Sequence, residues 1–297
     1  MKTRTKVLLG IAAFYVGSLI LVVAIFGFTR RDNEEFQPQN EFKLDTWVNL
    51  GPLDINKAVL YLFIAGILTT VTMIYIANRM EARPNRVQTA VEVLYSLMRD
   101  NITRGNMEDR MAAKWFPFIG ALFLFIWFSN LIGYIPLPTN THEKFDLFGA
   151  QIPAFALYAA TANVSVPLVL ALVVFVAYNV EGIRAKGVGG YLKSLIPTGV
   201  TGGMAAFIFV LELLSNMMRL VSLSVRLFAN ILAGHLIILF MSGGLAVLLG
   251  LEFLGVFTLP AGIILFLFEV GLVATLQAFI FATLSAIYIG GAVAEHH

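Results

Sequence analysis

The segment Glu212-Leu-Leu-Ser215-Asn216-Met-Met-Arg219-Leu-Val-Ser222-Leu-Ser-Val-Arg226-Leu-Phe-Ala-Asn230-Ile-Leu-Ala-Gly-His235 lies within an apolar run from about residue 204 to 250. About 20 apolar residues suffice to carry a helix across a bilayer, so this run predicts a long, strongly tilted membrane helix. An ionisable side chain at the centre of such a helix costs about 2.5 to 3.5 kcal/mol on insertion scales, which makes each one a functional candidate. Glu212, Arg219 and Arg226 recur every seven residues, a period that drifts only about 20° per step on an α-helix. One face therefore carries all three, and Asn230, four residues after Arg226, extends it. Glu212 and Arg219 can pair with each other to lock helices together. Arg226 has no acidic residue at i±3 or i±4, so its partner must come from another helix or another subunit.

Outward from this segment, further apolar blocks lie at roughly 7 to 28, 58 to 77, 116 to 138, 154 to 180 and 253 to 294. The chain of 297 residues is 59% hydrophobic and 13% charged, a composition foreign to soluble domains. The fold class expected is an all-α integral membrane protein with about six hydrophobic helices. The last two form a long tilted hairpin over residues 198–295, turning near Gly250 to Gly255 around Glu252. A net charge of +2 supplies no basic field for nucleic acid. The absence of cysteine excludes disulfides, thiolate nucleophiles and cysteine-ligated metals. No cofactor or metal site is expected, and His296 and His297 read as a solvated tail.

Lys and Arg are unevenly shared between alternate connections: thirteen lie in residues 1–6, 79–115 and 181–196, against five in the others. The positive-inside rule places both termini and the 79–115 connection in the cytoplasm. Residues 1–56 read as an N-terminal membrane anchor followed by an outside linker. Its first block, about 22 apolar residues with no A-x-A site after Phe28, fits a retained helix better than a signal peptide. Residues 79–115 space Val87, Val91, Leu94, Tyr95 and Met98 helically among charges, predicting an amphipathic helix along the interface that braces the bundle.

Counting both ways from a turn near residue 251 sets His235 opposite Glu269 and Arg226 opposite Gln277. At 1.5 Å per residue, Glu212 lies about 21 Å from Arg226 on one side and His235 about 14 Å on the other. A histidine and a carboxylate can both accept and release protons near neutrality. Arginine stays protonated, so it is a barrier to protons and not a step in their path.

The sequence Ser222-Leu-Ser-Val-Arg226-Leu-Phe-Ala-Asn230-Ile-Leu-Ala-Gly-His235 resembles the signature of subunit a of the F-type ATP synthase. Leu276-Gln277-Ala-Phe-Ile-Phe281-Ala-Thr-Leu, Phe128-Ser-Asn130-Leu-Ile-Gly133-Tyr-Ile-Pro136 and Thr161-Ala-Asn163-Val-Ser165 are similar to further motifs of that family, and the resemblance spans about residues 57 to 294. It implies a non-catalytic stator subunit whose residues 57–297 translocate protons past a rotating ring of c subunits. Its other partners would be the peripheral-stalk subunit b, further ATP synthase subunits and the lipid bilayer. The bacterial plasma membrane is the expected location, with the thylakoid as the alternative.

By the family's pattern Arg226 is the stator arginine, supported by Asn230, Gln277, Arg219 and Ser222. His235, Glu269 and Asn130 would line an outer aqueous half-channel, and Glu212 and Ser215 an inner one. Glu269 stands eight residues before Gln277 where seven is expected, a rotation of about 100° on a regular helix. Asn163 and Gly133 stand where relatives carry acids, so outer polarity is expected to lean on His142, Glu143 and Asp146. The rival reading is a secondary transporter in which Arg226 binds an anionic substrate at the midplane, but the two halves show no internal repeat. Haem held by two histidines is excluded because only His235 of the four lies in a membrane segment. Gly182 and Gly187 have the glycine spacing of a phosphate-binding loop, but Val188-Gly189 follows where Lys-Ser/Thr is required. This chain therefore binds no nucleotide.

Overall fold

The computed structural model describes Gly17 and residues 46–49, 54–78, 80, 85–147, 150–196, 200, 202–244 and 255–294; for strand residues 46–49, 54–55, 138–147 and 150–156 it describes the backbone alone. Among these residues five helices are long and apolar enough to cross a membrane: α1 Lys57–Asn78, α3 Asp109–Ile132, α4 Ser165–Ser194, α5 Gly203–Leu239 and α6 Gly255–Val293. A shorter helix, α2 Arg86–Ser96, stands between the first two. Apart from Gly17, the expected helix over 7 to 28 lies outside the described residues, as does the turn at 250 to 254.

The membrane part is helical, as the apolar blocks require, but several boundaries differ from those blocks. The second span begins at Asp109 instead of 116 and stops at Ile132. An acid in its first turn suits the positive end of the helix dipole. The third begins at Ser165 instead of 154. The preceding residues form a ribbon in which β3, Leu137–Leu147, pairs antiparallel with β4, Ala150–Ala156, with Phe145 opposite Ile152. Asn163 Oδ1 then accepts the Ser165 N–H at 3.0 Å, an Asx turn that starts the helix. A smaller ribbon, β1 Thr46–Asn49 with β2 Asp54–Asn56, precedes α1. Neither ribbon was expected. His142, Glu143 and Asp146 fall in β3, where their side chains lie outside the description.

The element expected along the interface is shorter than 79–115. Asn85 Oδ1 caps α2 through the Gln88 N–H at 2.8 Å, and the chain continues as a π-helical stretch, Leu97–Arg104. Met98 and Ile102 are fully buried in the main core, so the segment braces the bundle, while Val87, expected on its apolar face, is exposed.

The core gathers on α3 and the second half of α6. Ala274, Ala278, Ala282 and Ala286 recur every four residues and are all fully buried. α3 packs on this half of α6 and on α1, and α4 packs on α5 and on the same half of α6. Without a hydrophobic drive between helices in lipid, small residues at such a seam let backbones approach closely. The hairpin's other side stays open: Phe207, Val210, Leu214, Met218 and Val225 on α5 and Ile264 on α6 are exposed.

Lys114 of α3 donates to Glu181 Oε1 of α4; the glutamate side chain is 6% exposed and the lysine 52%. Removing the lysine alone strands a buried carboxylate, a loss of about 1 to 3 kcal/mol. Lys114→Met is expected to lower the thermal denaturation midpoint of the purified complex, and Lys114→Met with Glu181→Leu to recover most of it. Equal midpoints for parent and single variant would show that the pair holds nothing.

Candidate functional site

The buried stripe of α5 runs Asn216, Leu223, Ser224, Leu227, Ile231, Gly234, His235 and Ile238. Arg226 and Asn230 sit beside it and are exposed, as are Ser222 and Ser215. No hydrogen bond or ion pair engages Arg226 among the described residues. Gln277, on α6, is buried at 6%. Two polar clusters flank this arginine along the hairpin.

At the His235 end the expected facing pair is brought together. The Tyr134 ring stacks on His235 with centroids 4.6 Å apart, and its hydroxyl donates to Glu269 Oε2 at 3.2 Å. Both imidazole nitrogens face carbonyl oxygens, Nδ1 that of Ile231 at 3.0 Å and Nε2 that of Gly133 at 3.3 Å. A neutral ring can donate to one of these and a protonated ring to both. Asn130, fully buried, donates through Nδ2 to the Ala274 carbonyl at 3.2 Å and accepts the Thr161 hydroxyl at 2.8 Å. It thereby ties the α3 end to the turn before α4 and to α6.

The expected rotation of Glu269 is corrected by the backbone. Residues Glu269–Val273 form a π turn, and the Ala274 N–H bonds the Glu269 carbonyl, five residues back. A π-bulge absorbs one extra residue without changing the phase of the helix on either side. Eight residues from Glu269 to Gln277 thus turn through what seven would in a regular helix. The carboxylate fills the space left by Gly234, where a Cβ would overlap it.

At the other end, Arg219 Nη2 reaches Glu212 Oε1 at 3.5 Å, and its guanidinium lies 5.5 Å from the Tyr288 ring centre. The structure thus places Arg219 with Glu212, while no hydrogen bond joins it to Arg226. These groups line a cavity of about 320 Å³ with Tyr178, Tyr191 and Asn216. Within it Tyr178 donates to Asn216 Oδ1, and Tyr191 donates to Asn179 Oδ1 at 2.8 Å. Among the described residues no group of three or more potential metal ligands occurs.

Residues 59–290 match the ATP synthase A chain family. The ATP synthase subunit a of Myxococcus xanthus (strain DK1622) is 33% identical over 252 residues, which is 82% of this chain and 75% of that one. That of Rubrobacter xylanophilus (strain DSM 9941 / JCM 11954 / NBRC 16129 / PRD-1) is 34% identical over 239 residues, 80% of this chain and 83% of that one. That of Frankia alni (strain DSM 45986 / CECT 9034 / ACN14a) is 32% identical over 282 residues, 93% and 90%. The chain belongs to the ATP synthase subunit a family. It is a non-catalytic, proton-translocating stator subunit embedded in the membrane, and the transporter reading is set aside.

Sequence reasoning did not single out Tyr134, Thr161, Gly234, Tyr178, Asn179 or Tyr191. Tyr134 stood four residues after Asn130 inside a motif already quoted, a one-turn spacing that could have drawn it in. The tyrosines and Asn179 on α4 carried no signal, since α4 reads as an ordinary apolar span until its packing on α5 is known.

Gly234→Ala is expected to displace the Glu269 carboxylate and reduce ATP-driven proton pumping by about 10²-fold, the scale for misplacing a reacting group by an ångström. Deletion of Leu272, which converts the π turn to regular helix, is expected to keep both Glu269 and Gln277 in phase and to retain pumping. Loss of pumping on this deletion in an assembled complex would show that the bulge does more than absorb a residue.

Proposed function

We propose that this chain forms two offset aqueous half-channels that deliver protons to, and collect them from, a rotating ring of c subunits. Arg226 is the charge between the channels. Its exposure on α5, with no partner among the described residues, carries this reading: a guanidinium in a bilayer requires an anion, and the exposed apolar flank around it fits a second protein that brings carboxylates past.

His235, Glu269, Tyr134 and Asn130 line the outer half-channel, and Glu212, Ser215 and Arg219 the inner one. Asn230, Ser222 and Gln277 are the hydrogen-bonding groups that would support the guanidinium once a ring carboxylate arrives, since none engages it within this chain alone. Residues 57–297 form the translocating domain and residues 1–56 an anchor and linker. The excess of basic residues supports a cytoplasmic location for the termini and the 79–115 connection. The bacterial sources of the similar proteins support a bacterial plasma membrane. Subunit b and other ATP synthase subunits complete the stator.

A ring carboxylate arriving opposite Arg226 is favoured in its ionised form by the nearby cation. It releases its proton into one half-channel and, after nearly a full rotation through lipid, is reloaded from the other. Arg226 cannot take up the proton itself and blocks the short path between the two channels. Proton flow down its gradient is thereby coupled to rotation.

Arg226→Ala is expected to abolish ATP-driven acidification of inverted vesicles and to raise passive proton permeability once the catalytic sector is stripped. Unchanged pumping in a correctly assembled Arg226→Ala complex would sink the proposal.

A further inference from the structure

The pair Gly182 and Gly187, which has the spacing of a phosphate loop and none of its chemistry, has a different use. Gly187 adopts φ 71°, ψ 162° in the middle of α4, a conformation closed to residues with a Cβ. The helix breaks there, and the following residues turn back on its earlier part. The Tyr191 ring then lies against Gly182, where a Cβ would overlap it. Tyr191 is 7% exposed, and its hydroxyl donates to Asn179 at 2.8 Å. Asn179 Oδ1 also accepts from Asn216 Nδ2 at 3.4 Å, and Asn216 accepts from Tyr178. Four polar side chains are thus linked from the folded-back segment to the wall of the Glu212–Arg219 cavity. Tyr191, Ser194 and Leu195 line that cavity together with Ile287, Tyr288 and Ala292. Lys186, which also lines it, donates through Nζ to the Ala294 carbonyl at 2.8 Å, fixing the break to the end of α6.

We propose that residues 188–194, turned back at Gly187, are a partial cap along one wall of the Glu212–Arg219 cavity, held in place by Tyr191 through Asn179 and Asn216, and that this cap sets the aqueous access of the inner half-channel. The inference rests on the assignment of this cavity to the inner half-channel. Tyr191 acts as a positioning residue: it holds the wall and orients Asn216. Of the charged groups facing the cavity, Glu212 and Arg219 come from α5 and Lys186 from α4.

The chain has no cysteine, so Ala292→Cys provides a single reporter on the cavity wall. The assembled complex in inverted vesicles is treated with a small, water-soluble methanethiosulfonate, and the rate of modification and the loss of ATP-driven pumping are both followed. Gly187→Ala, which favours a straight helix, is expected to speed modification about tenfold, the scale of forcing an L-residue into the left-handed region. Tyr191→Phe keeps the ring on Gly182 and removes only the latch, and is expected to speed it about fivefold, the effect of one net hydrogen bond. This second variant serves if the first fails to assemble. Rates equal to the Ala292→Cys parent in assembled Tyr191→Phe would overturn the cap while leaving the half-channel intact. Full modification of the parent with no loss of pumping would overturn the assignment of the cavity to the proton path, and the cap's role with it.

Discussion

A guanidinium held inside a bilayer governs this structure. Arg226 cannot shed its charge, and lipid offers it no counter-ion, so the chain must keep it near water or near a passing anion. The helix that carries it packs on one narrow side and leaves the flank around the arginine open. That arrangement would be poor economy in a helix whose only task was to span. It is intelligible if the missing counter-ion belongs to a neighbouring protein that moves.

The polar groups on either side are handled in opposite ways. Around His235 they are enclosed: Tyr134, Glu269 and Asn130 are buried or nearly so and bonded to carbonyls and hydroxyls of three helices. A buried polar network of this kind is stable only when its members are satisfied, and the π turn in α6 with the bare backbone at Gly234 is what lets the carboxylate reach it. Around Glu212 the groups border an open cavity, and the ion pair with Arg219 is half exposed. Such a pair gains little from its own attraction. Its value lies in holding two charges where water can reach them. The alanine seam of α6 serves both ends, because it lets α3 and α4 approach close enough to supply the tyrosines and asparagines.

Much of this was legible in the sequence because it depends on period and length. Five apolar blocks became helices, the seven-residue spacing did put Glu212 in reach of Arg219, and counting from the turn did bring His235 to the depth of Glu269. What could not be read depends on tertiary partners or on breaks in regularity. The π turn was invisible because the residues Glu-Val-Gly-Leu-Val would also form an α-helix, so only packing can select the wider turn. The ribbon at Leu137–Ala156 was hidden because most of it lies between two apolar blocks, where a polar run such as Thr-Asn-Thr-His-Glu-Lys reads as a plain connection and strand pairing leaves no signal of its own. The break at Gly187 was masked by continued helical pattern on both sides. Tyr191 acquires meaning only after that break returns it to Gly182.

Arg219 and Arg226 provide an internal comparison. They occupy the same face of the same helix one heptad apart, in similar apolar surroundings. Arg219 has a carboxylate seven residues before it and a tyrosine ring from α6 beside it, so it is compensated within the chain. Arg226 has Arg219 at that same offset, and the nearest carboxylate of its helix is spent on the neighbour. An acid at residue 222 or 230 would have paired Arg226 within one turn, yet serine and asparagine stand there, able to hydrogen-bond a guanidinium without neutralising it. The sequence therefore supplies support for the charge while withholding its counter-ion, which is the condition under which a carboxylate from another subunit can bind there and leave again.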